Sequence, residues 1–155
     1  MTIIVWNGEV LAADKMADNA GHKGVVTKIR RVNEGSLVAF TGDWDHAQAM
    51  FAWAQDGFEI AKHPECQKGA DWVGMMRITP DGRCLKYERS PYPSDFTEEV
   101  MAAGIYAMGS GRDYAIGAYG AGCLLSEQMV QITNKYCVGC GLGFDWAKLN
   151  GDGTI

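Results

Sequence analysis

The chain has 155 residues, 47% of them hydrophobic and 21% charged, with a formal net charge of −5. That length supports one domain (1–155) with a real core and is short for two. The acidic balance argues against nucleic-acid binding, since Lys28, Arg30 and Arg31 form the only dense basic cluster. No run approaches the roughly 18 apolar residues that argue for a membrane span.

The chain opens as a β-hairpin. Residues 2 to 6 are β-branched or aromatic, Asn7-Gly8 is a two-residue turn signal, and Val10 to Ala13 form a second apolar run. Thr2 gives this start its chemical interest. If Met1 is removed, one residue carries both a hydroxyl nucleophile and a free α-amine. That amine has a pKa of roughly 7.7–8.0, so part of it is neutral near physiological pH and can take a proton.

Ala17 to Lys23 is small, polar and glycine-containing, and is expected to be a loop. Val25 to Val32 is expected to be a strand, Asn33-Glu34-Gly35 a turn, and Ser36 to Thr41 a strand ended by Gly42. Asp43 can cap a helix over Asp45 to Gln55, where Ala47, Met50, Phe51 and Ala54 recur at helical spacing and Gly57 is the stop. Pro64 to Gly69 is expected to be a loop. Asp71 to Thr79 and Arg83 to Glu88 are expected strands around the turn Pro80-Asp81-Gly82, and Ser90 to Pro93 breaks the pattern.

Ile105 to Met108 is a short apolar strand followed by the tight turn Gly109-Ser110-Gly111. Helices are expected over Asp113 to Gly122 and Leu125 to Tyr136, the second capped by Ser126 or an earlier polar group, and a last strand over Leu142 to Leu149. Runs of strands and of helices, without strict alternation, indicate an α+β protein with antiparallel sheets and helices packed outside.

Five segments, in order, resemble the proteasome-type N-terminal nucleophile hydrolases, with the nearest likeness to HslV and to proteasome-like proteins of bacteria and phages. They are Thr2-Ile3-Ile4-Val5, Val10-Leu11-Ala12-Ala13-Asp14, Thr27 to Val32, Val38 to Ala47 through Thr41-Gly42-Asp43, and Ile105 to Ala115 through Gly109-Ser110-Gly111. The resemblance implies a four-layer αββα sandwich, two antiparallel sheets between helix layers, and assembly into homo-oligomeric rings. It also implies a threonine-type peptidase acting on polypeptides, with Thr2 as nucleophile after Met1 is removed. Lys28 would hold a cation beside the hydroxyl, Asp14 would hold that lysine, Gly42 would donate its N–H to the oxyanion, and Ser110 would support the site.

The chain departs from the family near its end. The resemblance implies an aspartate and a serine near the positions where Cys137 and Cys140 fall here. An inactive, oligomeric relative that reuses the sandwich is therefore the alternative reading. Cys137-Val138-Gly139-Cys140 is also a C-x-x-C, a spacing found in redox dithiols and zinc sites. His22, His46, His63, Cys66, Cys84 and Cys123 show no ligand spacing to complete a zinc site. No metal or other cofactor is expected. Five cysteines behind a start with no signal-peptide pattern suggest reduced thiols in a cytoplasmic protein. No Walker loop or G-x-G-x-x-G follows a strand, so any unfolding of substrates would fall to a separate ATPase.

Overall fold

A computed structural model describes residues 2–65, 73–88, 97–100 and 104–155. Among the described residues, three antiparallel sheets, three α-helices and one 3-10 turn (Ile60–Lys62) make up the regular structure. Asp71 and Trp72, most of the expected loop at 64–69, and the break at 90–93 lie outside the described residues.

The first two strands, β1 (Ile4–Trp6) and β2 (Leu11–Asp14), pair with Ile4 opposite Ala13 and Trp6 opposite Leu11. That register leaves residues 7–10 in the connection, four where two are expected. The difference has a local cause. Asn7 Oδ1 accepts the N–H groups of Glu9 (3.0 Å) and Val10 (2.8 Å), an Asx turn that takes both residues out of the ladder. Gly8 supplies the positive φ of 93° inside it.

Residues 17–23, expected to be a loop, instead contribute to a second hairpin of β3 (Met16–Asn19) and β4 (His22–Val25). Ala20 (φ 50°) and Gly21 (φ 87°) form its two-residue turn, and Asp18 Oδ1 accepts the Gly21 N–H. All of β4 is exposed, so no alternation of apolar residues marks it in the sequence.

A five-stranded sheet follows, of β5 (Ile29–Arg31), β6 (Leu37–Thr41), β7 (Gly74–Ile78), β8 (Cys84–Glu88) and β9 (Thr97–Val100), paired in that order. β5 is shorter than the expected 25–32, and β9 has no counterpart in the sequence reading. The turn at Pro80-Asp81-Gly82 is present, with Gly82 at φ 84° donating its N–H to Thr79 O.

Helix α1 (Trp44–Gln55) is capped by Asp43, whose carboxylate accepts the His46 N–H at 2.8 Å. Then come β10 (Tyr106–Met108), α2 (Arg112–Gly120), α3 (Ser126–Tyr136) and β11 (Phe144–Ala147). Leu125, not Ser126, stands at the N-cap of α3. The Ser126 hydroxyl is buried and donates to Val10 O at 2.9 Å, tying the helix to the first hairpin. The strands β10, β1, β2 and β11 form a four-stranded sheet in that order.

Strand alternation divides the apolar residues among three clusters. Ile4, Leu11 and Ala13 on one face of the four-stranded sheet meet Ile29, Leu37, Met76 and Ile78 of the five-stranded sheet. The opposite face of that second sheet, through Val38, Phe40 and Met75, packs on Met50, Trp53 and Ala54 of α1. Ile3, Val5 and Ala12 pack on Ala115 of α2 and on Met129 and Val130 of α3. Each fully buried Ile, Leu or Val contributes about 1.5–3 kcal/mol relative to exposure. Both faces of β1 and β2 are therefore covered, which explains their unbroken apolar runs. Among the described residues no helix is long and apolar enough to cross a membrane.

Candidate active site

Strand ends of the two large sheets bring three distant polar groups together. The pairing of β1 with β2 continues past the strands: the Asp14 N–H donates to Ile3 O at 3.1 Å, and the Ile3 N–H donates to Asp14 Oδ1 at 3.0 Å. Lys28 precedes β5, and its carbonyl accepts the Phe40 N–H of β6 at 3.3 Å. From there Lys28 Nζ donates to Asp14 Oδ1 at 2.7 Å and to Thr2 Oγ1 at 3.0 Å. Thr2, Asp14 and Lys28 are 4%, 0% and 4% exposed.

Asp14 is held by more than its ion pair. Oδ2 accepts the N–H groups of Met16 and Gly141, both at 3.2 Å. Four donors on two oxygens match the acceptor capacity of a carboxylate. This satisfies a charge whose burial would otherwise be costly. Burial pulls Lys28 below the ordinary lysine value, and the charge and hydrogen bond of Asp14 pull it back only in part. The lysine is a desolvated cation, aimed by its partner at a hydroxyl.

The turn after β10 closes against the same residue. The Thr2 N–H donates to Ser110 Oγ at 3.2 Å, and the Gly111 N–H donates to Thr2 O at 3.1 Å. Gly109, at φ 96°, lies so near that any Cβ there would clash with the Thr2 carbonyl oxygen. Gly42, at φ 106°, ends β6 and lines one cleft with Thr2 and Lys28. That cleft has a volume of about 450 Å³, and Asp18, Asp43 and Asp45 contribute to its walls. Ser110 is exposed on its other side to a separate cavity of about 240 Å³.

All five residues singled out in the sequence thus lie around Thr2 or line its cleft. The groups the sequence did not reveal are mostly backbone: the N–H donors of Ile3, Met16, Gly111 and Gly141. Only the Gly-Ser-Gly run carried a signal for any of them. Cys137 and Cys140 border the site, with their sulfurs 3.5 Å apart. Among the described residues no group of three or more His, Cys, Asp or Glu side chains is placed to hold a metal ion.

No protein-family model matches the chain, and no curated protein matches it in sequence. Solved structures do. Eukaryotic HslV from Trypanosoma brucei superposes with a TM-score of 0.69 at 17% identity, covering 94% of this chain and 97% of its own. BPH from Thiobacillus denitrificans, solved in complex with epoxomicin, gives 0.58 at 19% identity over 96% and 98%. Anbu from Pseudomonas aeruginosa, solved as a helical assembly, gives 0.63 at 11% identity over 95% and 80%. The chain shares its fold with HslV and with these other solved structures.

Proposed function

We propose that this chain is a threonine-type peptidase subunit of a self-compartmentalised, proteasome- or HslV-like assembly. The observation that carries the proposal is Lys28 Nζ, 3.0 Å from Thr2 Oγ1 and 2.7 Å from a buried carboxylate. A lone surface pair would not be informative; a buried cation shared between a carboxylate and the hydroxyl of residue 2 is.

In this reading removal of Met1 frees the Thr2 amine. Thr2 Oγ attacks the carbonyl carbon of a peptide bond, and its proton passes to that amine. The Lys28 charge favours the developing alkoxide by on the order of 5 kcal/mol of raw Coulomb energy at an effective dielectric near 20. The Gly42 N–H takes the role of oxyanion donor, a contribution typically worth about 100- to 1000-fold in rate. The C–N bond breaks, the amine product leaves with the proton, and an ester remains on Thr2. Water, deprotonated by the Thr2 amine, then hydrolyses the ester. Ser110 orients the Thr2 nitrogen through the contact it already makes.

The three apolar clusters support the four-layer αββα arrangement within a single 1–155 domain. Exposed Tyr119, Leu124, Leu125 and Tyr136 on and around the two C-terminal helices offer surface for a homo-oligomer, consistent with the assembled Anbu neighbour. A ring would enclose the clefts, and a separate ATPase would feed them.

The test is the intact mass of the protein, alone and after incubation with a peptide epoxyketone. The expected result is loss of one methionine and a single adduct on Thr2, absent in Thr2→Ala. Retained Met1 without an adduct favours the second reading, an oligomeric scaffold without hydrolysis. That reading rests on Cys137 and Cys140 standing where the resemblance places a supporting aspartate and serine.

A further inference from the structure

The C-x-x-C run is wired to the site by two short routes. Cys137 follows α3, its N–H held by Thr133 O at 2.8 Å, and the Cys140 N–H donates to Cys137 O at 3.1 Å. This turn brings the two sulfurs to 3.5 Å. The residue after it is Gly141, whose N–H holds Asp14 Oδ2 and whose carbonyl accepts the Lys15 N–H at 3.2 Å. The buried Cys140 sulfur also fills the space beside Gly111, 2.9 Å from where a Cβ there would stand. Gly111 in turn holds the Thr2 carbonyl. Cys137 is half-buried and Cys140 buried, so Cys137 is the more accessible of the two.

We propose that Cys137 and Cys140 form a reversible disulfide with low-molecular-weight disulfides as oxidant, and that its closure slows the Thr2 site. The Cys137 thiol gives its proton to solvent, and the thiolate attacks one sulfur of the small disulfide, expelling one small thiol. Cys140 then attacks the Cys137 sulfur, forming the internal S–S bond and breaking the mixed disulfide; the second small thiolate leaves and takes up, through solvent, the proton that Cys140 gives up. The protein loses two hydrogens and two electrons, and the oxidant becomes two thiols. Burial, with the Asp14 charge adding to it, pushes the Cys140 thiol up to about 12, so the second step is the slow one and leans on the 3.5 Å approach of the two sulfurs. Closure draws the Cys140 sulfur away from Gly111 and toward Cys137. The adjoining Gly141 N–H then moves off Asp14, and the carboxylate loses one of its four donors.

Disulfide formation stands apart from the peptidase reading; the slowing of Thr2 rests on it. The full-length protein is equilibrated with mixtures of reduced and oxidised glutathione, blocked with N-ethylmaleimide and mapped by mass. The expected result is one peptide holding both cysteines, two hydrogens lighter, unblocked and restored by dithiothreitol. Both cysteines alkylated at every ratio, stable glutathione adducts, or pairing with another cysteine would overturn the proposal. Amide exchange at Gly141 reads the coupling without hydrolysis and is expected to speed up on oxidation; unchanged exchange would overturn it. Epoxyketone labelling of Thr2 is expected to slow about tenfold in the oxidised form, the loss of one hydrogen bond to a charged group, and Cys137→Ser is expected to abolish that response while keeping basal labelling. Absence of labelling in both redox states would defeat the peptidase reading, leaving the mapping and exchange to decide the disulfide.

Discussion

Two lysine–carboxylate pairs in this molecule have almost the same length and opposite behaviour. Lys28 lies 2.7 Å from Asp14 with both groups buried; Lys62 lies 2.6 Å from Glu59 with both groups more than half exposed. Glu59 raises Lys62 above its ordinary value, chiefly through their hydrogen bond. Asp14 does not manage this for Lys28, because desolvation outweighs it. Distance alone therefore says little about an ion pair. Burial decides whether a pair is a solvated surface contact of little consequence or a desolvated charge held against a neighbouring hydroxyl.

The harshest way to break the comparison is Asp14→Ala. It strands Lys28 and three backbone donors in the interior, and is expected to cost about 3–5 kcal/mol of stability, read from denaturant unfolding. Lys28→Ala comes next. It is expected to slow epoxyketone labelling of Thr2 by about 100- to 1000-fold, as for loss of an electrostatic stabiliser, with circular dichroism confirming the fold. Ser110→Ala removes one hydrogen bond to the Thr2 nitrogen and is expected to slow labelling by up to about tenfold.

A pH profile sharpens the contrast further. Labelling is expected to rise as the Thr2 amine loses its proton, around pH 7.7–8.0. It is expected to fall on the alkaline side before the ordinary lysine value of 10.5, because Lys28, lowered by burial, loses its charge early. A plateau extending past that value would contradict the buried-cation role. The smallest effect is reserved for Lys62→Ala, which is expected to leave both unfolding midpoint and labelling unchanged.

The parts of the fold legible in the sequence are those with a buried side. Ile3 and Val5 point one way and Ile4 and Trp6 the other, so β1 announces itself as a strand covered on both faces. α1 is legible through Ala47, Met50 and Ala54, and through its Asp43 cap. The β3–β4 hairpin is not, because its second strand buries nothing and its turn takes an alanine at positive φ. Ser126 misleads for a related reason: a hydroxyl near a helix start suggests a cap, but this one is claimed by Val10 O from the first hairpin.

The site divides the same way. Thr2, Asp14, Lys28, Gly42 and Ser110 carry a family resemblance in their side chains or turns, and the structure gathers them. The donors from Ile3, Met16 and Gly141 are peptide groups, which every residue possesses, so no spelling of the sequence marks them. The register of β1 on β2 brings Ile3 to Asp14, the turn after Cys140 brings Gly141, and Met16 arrives by a local turn two residues on.

That wide reach for partners also has a consequence for folding. The donor from Gly141 meets Asp14 across 127 positions of sequence. Contacts so distant form slowly, because the chain between them must be ordered first. The last donor to the carboxylate is therefore expected to arrive late in folding, after the local ones are in place.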